Sequence, residues 1–116
     1  MRILFTHHKC LLSQVAICNL SKLLSLSYDK IIYANSYREF HLHIRKKFDY
    51  IFVEPFESKR QNGSIIGLKT NNIFLLGFKD DYPILDGIIK SNTMIKKINM
   101  DNLLVPIKSI DDIVED

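Results

Sequence analysis

Glu54 closes the apolar run 48–53 and is followed by Pro55, which holds the backbone of residue 54 extended. Ile51, Phe52 and Val53 run together without alternation, as in a strand covered on both faces. A carboxylate at the carboxyl end of such a strand stands where open α/β sheets place their ligand sites. His7 and His8 follow a first apolar run, residues 2–6, at the equivalent end, and Cys10 lies just beyond them. The chemistry within reach is therefore acid–base work by a carboxylate or an imidazole, and attack by a thiol. Each reading has a plainer counterpart. Adjacent residues at a strand end diverge, and His7 and His8 have no third ligand at a zinc-like spacing. Leu11 and Lys9 beside Cys10 are too bulky to present a run of amides to a phosphate, which favours a structural thiol.

His41 and His43 form a His-x-His pair like that of rolling-circle nucleases, in which two histidines on one strand bind a metal. Here Ser36 and Glu39 make a capping box, which puts both histidines on a helix. Side chains two positions apart on a helix point away from each other and cannot share an ion. Gly63 and Gly67 have no following Lys-Ser or Lys-Thr and form no phosphate loop. No catalytic residue, metal or cofactor is expected.

These residues need a scaffold, and the hydrophobic pattern supplies one. After the first strand, Leu12, Val15, Ala16, Leu20, Leu23 and Leu24 fall at helical spacing. Residues 31–34 form a second strand, and Tyr37, Phe40 and Ile44 line the capped helix. The strand ending at Glu54 comes third. Residues 56–62 read as a polar loop, and 64–69 as one or two helical turns at most. Residues 73–77 form a fourth strand ending in Gly77. Ile84, Leu85, Ile88 and Ile89 mark a helix with Pro83 in its first turn. Residues 92–100 carry no clear pattern. Residues 103–106 read as the last strand, and residues 109–112 open a final helix. Alternating strands and helices imply a parallel sheet covered on both faces.

The 116 residues are 47% hydrophobic and 25% charged, which is globular composition and suits one domain, residues 1–116. A net charge of +3 does not by itself call for nucleic acid, although Arg45, Lys46 and Lys47 and then Lys59 and Arg60 form basic clusters. Cys10 and Cys18 make no disulfide framework and imply a reducing compartment. No apolar run approaches membrane-spanning length, and no signal peptide is expected. A cytoplasmic location is expected.

Taken together, the strand ends resemble the receiver domain of two-component response regulators. Residues 2–12 resemble its opening, where a strand runs into two acidic residues. Residues 48–54 resemble the strand that carries the phospho-accepting aspartate, residues 73–77 the next strand with its terminal hydroxyl, and residues 103–107 the last strand with its Lys-Pro. The resemblance implies an α/β, flavodoxin-like, doubly wound sheet of five parallel strands in the order 2-1-3-4-5, with a cis bond before Pro106. The phospho-acceptor pocket is then made by His7, His8, Glu54, Gly77, Val105 and Pro106, and every active position in it has changed. Imidazoles replace the magnesium-binding acids, although Mg²⁺ asks for hard oxygen ligands. Glu54 is one methylene too long for the acceptor. Val105 replaces the lysine, and Gly77 replaces the hydroxyl.

The function implied is a pseudo-receiver, a phosphorylation-independent protein-interaction domain of signal transduction or transcriptional regulation. Glu54 would supply permanent charge where the phosphoryl group forms. Such domains bind a protein partner or a second copy through helix four, strand five and helix five. Here that face is Ile84, Leu85, Ile88, Leu103, Leu104, Ile107, Ile110 and Ile113. Direct contact with nucleic acid or membrane is not expected. The alternative is a small flavodoxin-like enzyme or phosphocarrier with Cys10 or a histidine as nucleophile. Cys10 after the first strand resembles the phosphocarriers of the sugar phosphotransferase system.

Overall fold

The computed structural model of the chain describes residues 2–6, 10–25, 30–70 and 72–115. Strands β1 (Arg2–Phe5), β2 (Lys30–Tyr33), β3 (Tyr50–Val53), β4 (Ile73–Gly77), β5 (Lys96–Asn99) and β6 (Val114–Glu115) alternate with helices α1 (Leu11–Ser25), α2 (Tyr37–His43), α3 (Lys59–Ile66) and α4 (Tyr82–Ser91). They build one sheet in the order β2-β1-β3-β4-β5-β6, parallel except for β6. The register aligns Phe5 with Phe52, and Phe52 with Phe74.

Period-two alternation sorts the strand side chains between two cores. Ile3, Phe5, Phe52, Phe74, Leu76 and Ile98 face α1, through Ala16, Ile17, Leu20 and Leu24. Leu4, Ile51, Val53, Ile73 and Leu75 face the other way, onto Phe40 of α2, Ile65 of α3, and Leu85 and Ile88 of α4. One face is thus covered by three helices. The other has α1 and, beside it among the described residues, the segment carrying Met100, Leu103 and Ile113, which holds 3-10 turns but no α-helix. No described helix is long and apolar enough to cross a membrane.

The α/β class and the mostly parallel sheet agree with expectation; the count and order of strands do not. The sheet has six strands rather than five, and an antiparallel β6 extends the expected order. The fifth position belongs to Lys96–Asn99, not to residues 103–106. Leu103 closes a 3-10 turn, Met100–Leu103, with its side chain fully in the core, whereas Val105 is 62% exposed. A strand there would need its alternate residues buried against the sheet, and the pattern breaks instead. The final helix is a 3-10 turn, Ile110–Asp112, that leads straight into β6. No peptide bond among the described residues is cis, so Val105–Pro106 is trans. The supposed loop 56–62 contains the whole first half of α3, because the Ser58 hydroxyl accepts from the amides of Arg60 and Gln61 and starts the helix.

Candidate functional site

Glu54 leaves β3 at the carboxyl edge of the sheet, and its placement is fixed from three sides. The Thr6 hydroxyl, at the end of β1, accepts the Glu54 backbone N–H at 2.8 Å. The Thr6 amide continues the parallel ladder onto Phe52 O at 3.0 Å. From α1, Ser13 Oγ donates to Glu54 Oε2 at 3.4 Å. Thr6, Ser13 and Glu54 are all buried, Glu54 with 0% of its surface exposed. The carboxyl group thus lies beneath the first turn of a fifteen-residue helix that has no acid of its own in that turn. A negative charge there complements the positive end of the helix dipole.

Cys10 immediately precedes α1, and its carbonyl accepts the Gln14 amide at 3.1 Å. Its thiol is exposed and free, with Sγ 3.5 Å from Ser13 Oγ. A thiol, a hydroxyl and a carboxyl group therefore stand in a line from surface to interior. The Ser13 side chain, and secondarily its backbone amide, hold the Cys10 thiol below its ordinary value, while burial and the charge of Glu54 work against this. Ser13 has one hydroxyl proton to give. Donated to a thiolate it stabilises the nucleophile; donated to Glu54 it fixes the carboxylate, and the two uses compete.

Gly77 occupies the same edge one strand over. A Cβ on it would lie 2.5 Å from Leu85 Cδ1 and 3.2 Å from Asp81 Cβ, so α4 packs directly on the bare backbone. A Ser or Thr at this place would have to displace a side chain of the core. Val105 and Pro106 lie off the sheet, both exposed, and the residue that ends β5 on this edge is Asn99, paired with Gly77. The expected pocket is thus brought together only in part. Glu54 and Gly77 share an edge, Val105 and Pro106 leave it because the fifth strand is a different segment, and His7 and His8 lie outside the described residues.

The residues expected to form the interaction face lie mostly inside the molecule. Leu85, Ile88, Leu103 and Ile113 are buried in the two cores, and Leu104, Ile107 and Ile110 are half-buried against one of them. Ile84 is the one residue of the eight that is largely exposed, at 48%. Leu85 and Ile88 pack from α4 onto one face of the sheet, and Leu103 and Ile113 pack beside α1 onto the other.

His41 and His43 do lie on α2, where His41 rests against Tyr37 and His43 meets the edge of Phe48. Among the described residues, no three His, Cys, Asp or Glu side chains gather as a metal site would need. Two polar residues went unnoticed in the sequence. Ser13 heads the buried stripe Ser13, Ala16, Ile17, Leu20 and Leu24, and a polar group on a buried face needs a partner. Asn62, inside the supposed loop, is buried and pairs with both the amide and the carbonyl of Phe56, at 2.6 and 2.9 Å. Comparison with family models, with curated proteins and with solved structures found no match for the chain.

Proposed function

We propose that the chain is a receiver-like α/β module that works by binding a protein, in cytoplasmic signalling or transcriptional control, and not by phosphoryl transfer. The observation that carries this reading is the enclosure of Glu54. In-line transfer to a carboxylate needs an oxygen open to the incoming phosphoryl group and cations to offset its charge. Glu54 has no exposed surface, and its Oε2 accepts from the Ser13 hydroxyl. Gly77 has no room for the hydroxyl that would follow the phosphate. The charge of Glu54 acts inward on α1 and does not mimic a phosphoryl group at the surface. Binding then falls to the outer side of α3 and α4, where Phe56, Ile66, Ile84, Gly87 and Ile88 line a hollow of about 520 Å³.

Acetyl phosphate with Mg²⁺ should leave the intact mass unchanged. A photo-crosslinker at position 84, used in the source cells, should give a discrete adduct that added wild-type protein competes away and Ile84→Asp protein does not. A gain of one phosphoryl group that vanishes in Glu54→Gln would overturn the reading.

One observation favours a second reading, a thiol-dependent enzyme or phosphocarrier: Cys10 is the exposed end of the Cys10–Ser13–Glu54 line. In that case iodoacetamide should modify Cys10 well ahead of Cys18, which is also exposed, and Ser13→Ala should slow Cys10 alone. Equal rates for the two cysteines would remove this alternative.

A further inference from the structure

The amino edge of the sheet carries a charge pattern that the net charge of +3 conceals. Each of the four helices ends there and brings an exposed cation. Lys22 lies in the last turn of α1 and Lys90 in that of α4, Arg45, Lys46 and Lys47 come just past α2, and Lys69 just past α3. Lys96 opens β5 on the same edge, and Lys108 shares a hollow of about 580 Å³ with it. Among the described residues the acids on this side are fewer: Asp49, whose carboxylate accepts the Arg2 amide at 2.7 Å, and Asp111 and Asp112. Glu57, Asp80, Asp81 and Asp101 follow the carboxyl ends of β3, β4 and β5, where they mingle with Lys59, Arg60 and Lys79. Positive charge is gathered at one edge and diluted at the other.

Two observations set this edge apart from an ordinary solvated surface. These cations are not paired: among the described residues the one salt bridge joins Lys97 to Asp86. Unpaired like charges repel and weaken the compact state, so an anion placed there relieves a repulsion already present in the fold. The helix dipole, moreover, favours a cation within the last turn and fades beyond it, which suits Lys22 and Lys90. It calls for no run of three at Arg45, Lys46 and Lys47, and no helix end holds Lys96 or Lys108.

The lysines border two hollows that flank the start of β3. Lys46, Lys47 and Lys69 edge one of about 380 Å³ on the side of Ile51, together with Thr70. Lys96 and Lys108 edge the larger one on the side of Tyr50, together with Asn72 and Ser109. Ile51 and Tyr50 belong to opposite faces of the sheet, so the cations stand on both faces of a single edge. Aromatic rings take no part: Phe48 and Phe74 are buried, and Tyr50 is half-buried and stacked on Phe52 and Phe74.

The geometry points to the amino edge as a docking surface for the phosphate backbone of a nucleic-acid duplex, held by charge and not by base sequence. Charge complementarity carries the choice, since duplex DNA presents one negative charge per about 1.7 Å of its axis. Its phosphates run in two rows along each groove, which matches cations on both faces of one edge. A single strand would need exposed rings on which its bases could stack, and this edge offers none among the described residues. A membrane surface would need a helix with an apolar outer face, whereas these helices turn their apolar faces into the two cores. Lysines on phosphates fix position without reading bases. The surface is separate from the Glu54 edge and from the hollow between α3 and α4.

The test is fluorescence anisotropy of a labelled, mixed-sequence DNA duplex titrated with the protein between about 50 and 200 mM salt. Affinity should fall with salt at a log–log slope of about −4 to −6, as counterions leave the contacted phosphates. Lys46→Gln, Lys47→Gln and Lys69→Gln together should lower low-salt affinity about tenfold or more and flatten the slope by about 2–3. Lys96→Gln with Lys108→Gln should flatten it by about 1–2. Lys59→Gln with Arg60→Gln, at the other edge, should change affinity less than about threefold, because screening removes charges that far away. The separated single strands should bind at least about threefold more weakly than the duplex. No saturable binding at low salt would overturn the proposal, and so would equal losses from the Lys59 and Arg60 exchange. Single strands, poly-glutamate or anionic phospholipid vesicles that bind as tightly as the duplex would overturn it too.

Discussion

Strand β3 has two ends with opposite fates. At its carboxyl end Glu54 is fully enclosed, its amide held by Thr6 and its side chain by Ser13. At its amino end Tyr50 is half-buried beside an open, lysine-lined hollow. The difference lies in the loops on the two sides of the sheet, since the strand itself is apolar throughout. The loops leaving β3 and β4 at the carboxyl edge turn inward and bond to themselves: Asn62 clamps Phe56, and the Asp81 carboxylate accepts the Phe78 amide at 3.1 Å. Loops arriving at the amino edge carry Lys46, Lys47 and Lys69, where helices end and their dipoles favour cations. A strand end that conventionally holds a ligand is therefore occupied by the protein's own groups, whereas the other end borders an open hollow.

The largest test of the closed edge is Asn62→Ala. It removes a donor and an acceptor from the Phe56 backbone at one stroke, inside a buried turn. Two such losses should cost about 2–4 kcal/mol in urea denaturation. Asn62→Asp, which keeps only the acceptor, should fall between the two proteins. A cost under about 1 kcal/mol would mean that water replaces the amide and that the edge is less tightly shut than its geometry implies.

Gly77→Ser comes next, with an expected loss of about 1–3 kcal/mol from overpacking against Leu85. Combined with Leu85→Ala, the serine should cost less than it does alone, because the clash is then gone. If the serine is neutral in the wild-type background, α4 yields easily and this strand end has room for a hydroxyl.

Tyr82 tests the seam between α4 and the last strand. Its hydroxyl donates to Glu115 Oε2 at 2.8 Å, and Lys97 lies 4.0 Å from its ring centroid. Tyr82→Phe should cost about 1 kcal/mol. Burial, and then the bond to Glu115, push the phenol above its ordinary value. A group with a raised folded pKa contributes stability that is complete below the unfolded value, about 10 for tyrosine, and is lost as pH rises beyond it. The wild-type protein should therefore lose more stability than Tyr82→Phe above about pH 10. Parallel pH profiles would break the link between β6 and α4.

The legibility of the sequence divides along the same lines. Strands β1, β3 and β4 show in the sequence because both their faces are covered and their runs are continuously apolar. β5 hides because Ile98 alone among Lys96, Lys97, Ile98 and Asn99 is buried, and the short β6 leaves no pattern at all. The run Leu103-Leu104-Val105 imitates a strand, yet Leu103 ends a 3-10 turn, and the two leucines pack against the core beside α1. The capping box at Ser36 was readable: its hydroxyl takes the Glu39 amide at 3.2 Å, although the Glu39 carboxylate reaches the Asn35 amide rather than that of Ser36. Glu54 could be placed by its strand, but not its enclosure, which depends on Ser13 arriving from forty-one positions away.

Gly87 gives the smallest effect and the cleanest contrast with Gly77. It lies inside α4 with no atom within 4 Å of an added Cβ, and its backbone φ is not positive. Alanine there meets nothing, lowers the entropy of the unfolded chain and improves helix propensity, so Gly87→Ala should gain about 0.5–1 kcal/mol. The same added methyl at Gly77 should lose stability, because Leu85 already fills the space. Opposite signs for Gly77→Ala and Gly87→Ala, measured in one denaturation series, would separate packing at the carboxyl edge from the open hollow between α3 and α4. A loss at Gly87 would show instead that the hollow closes in solution, and with it the surface proposed for a protein partner.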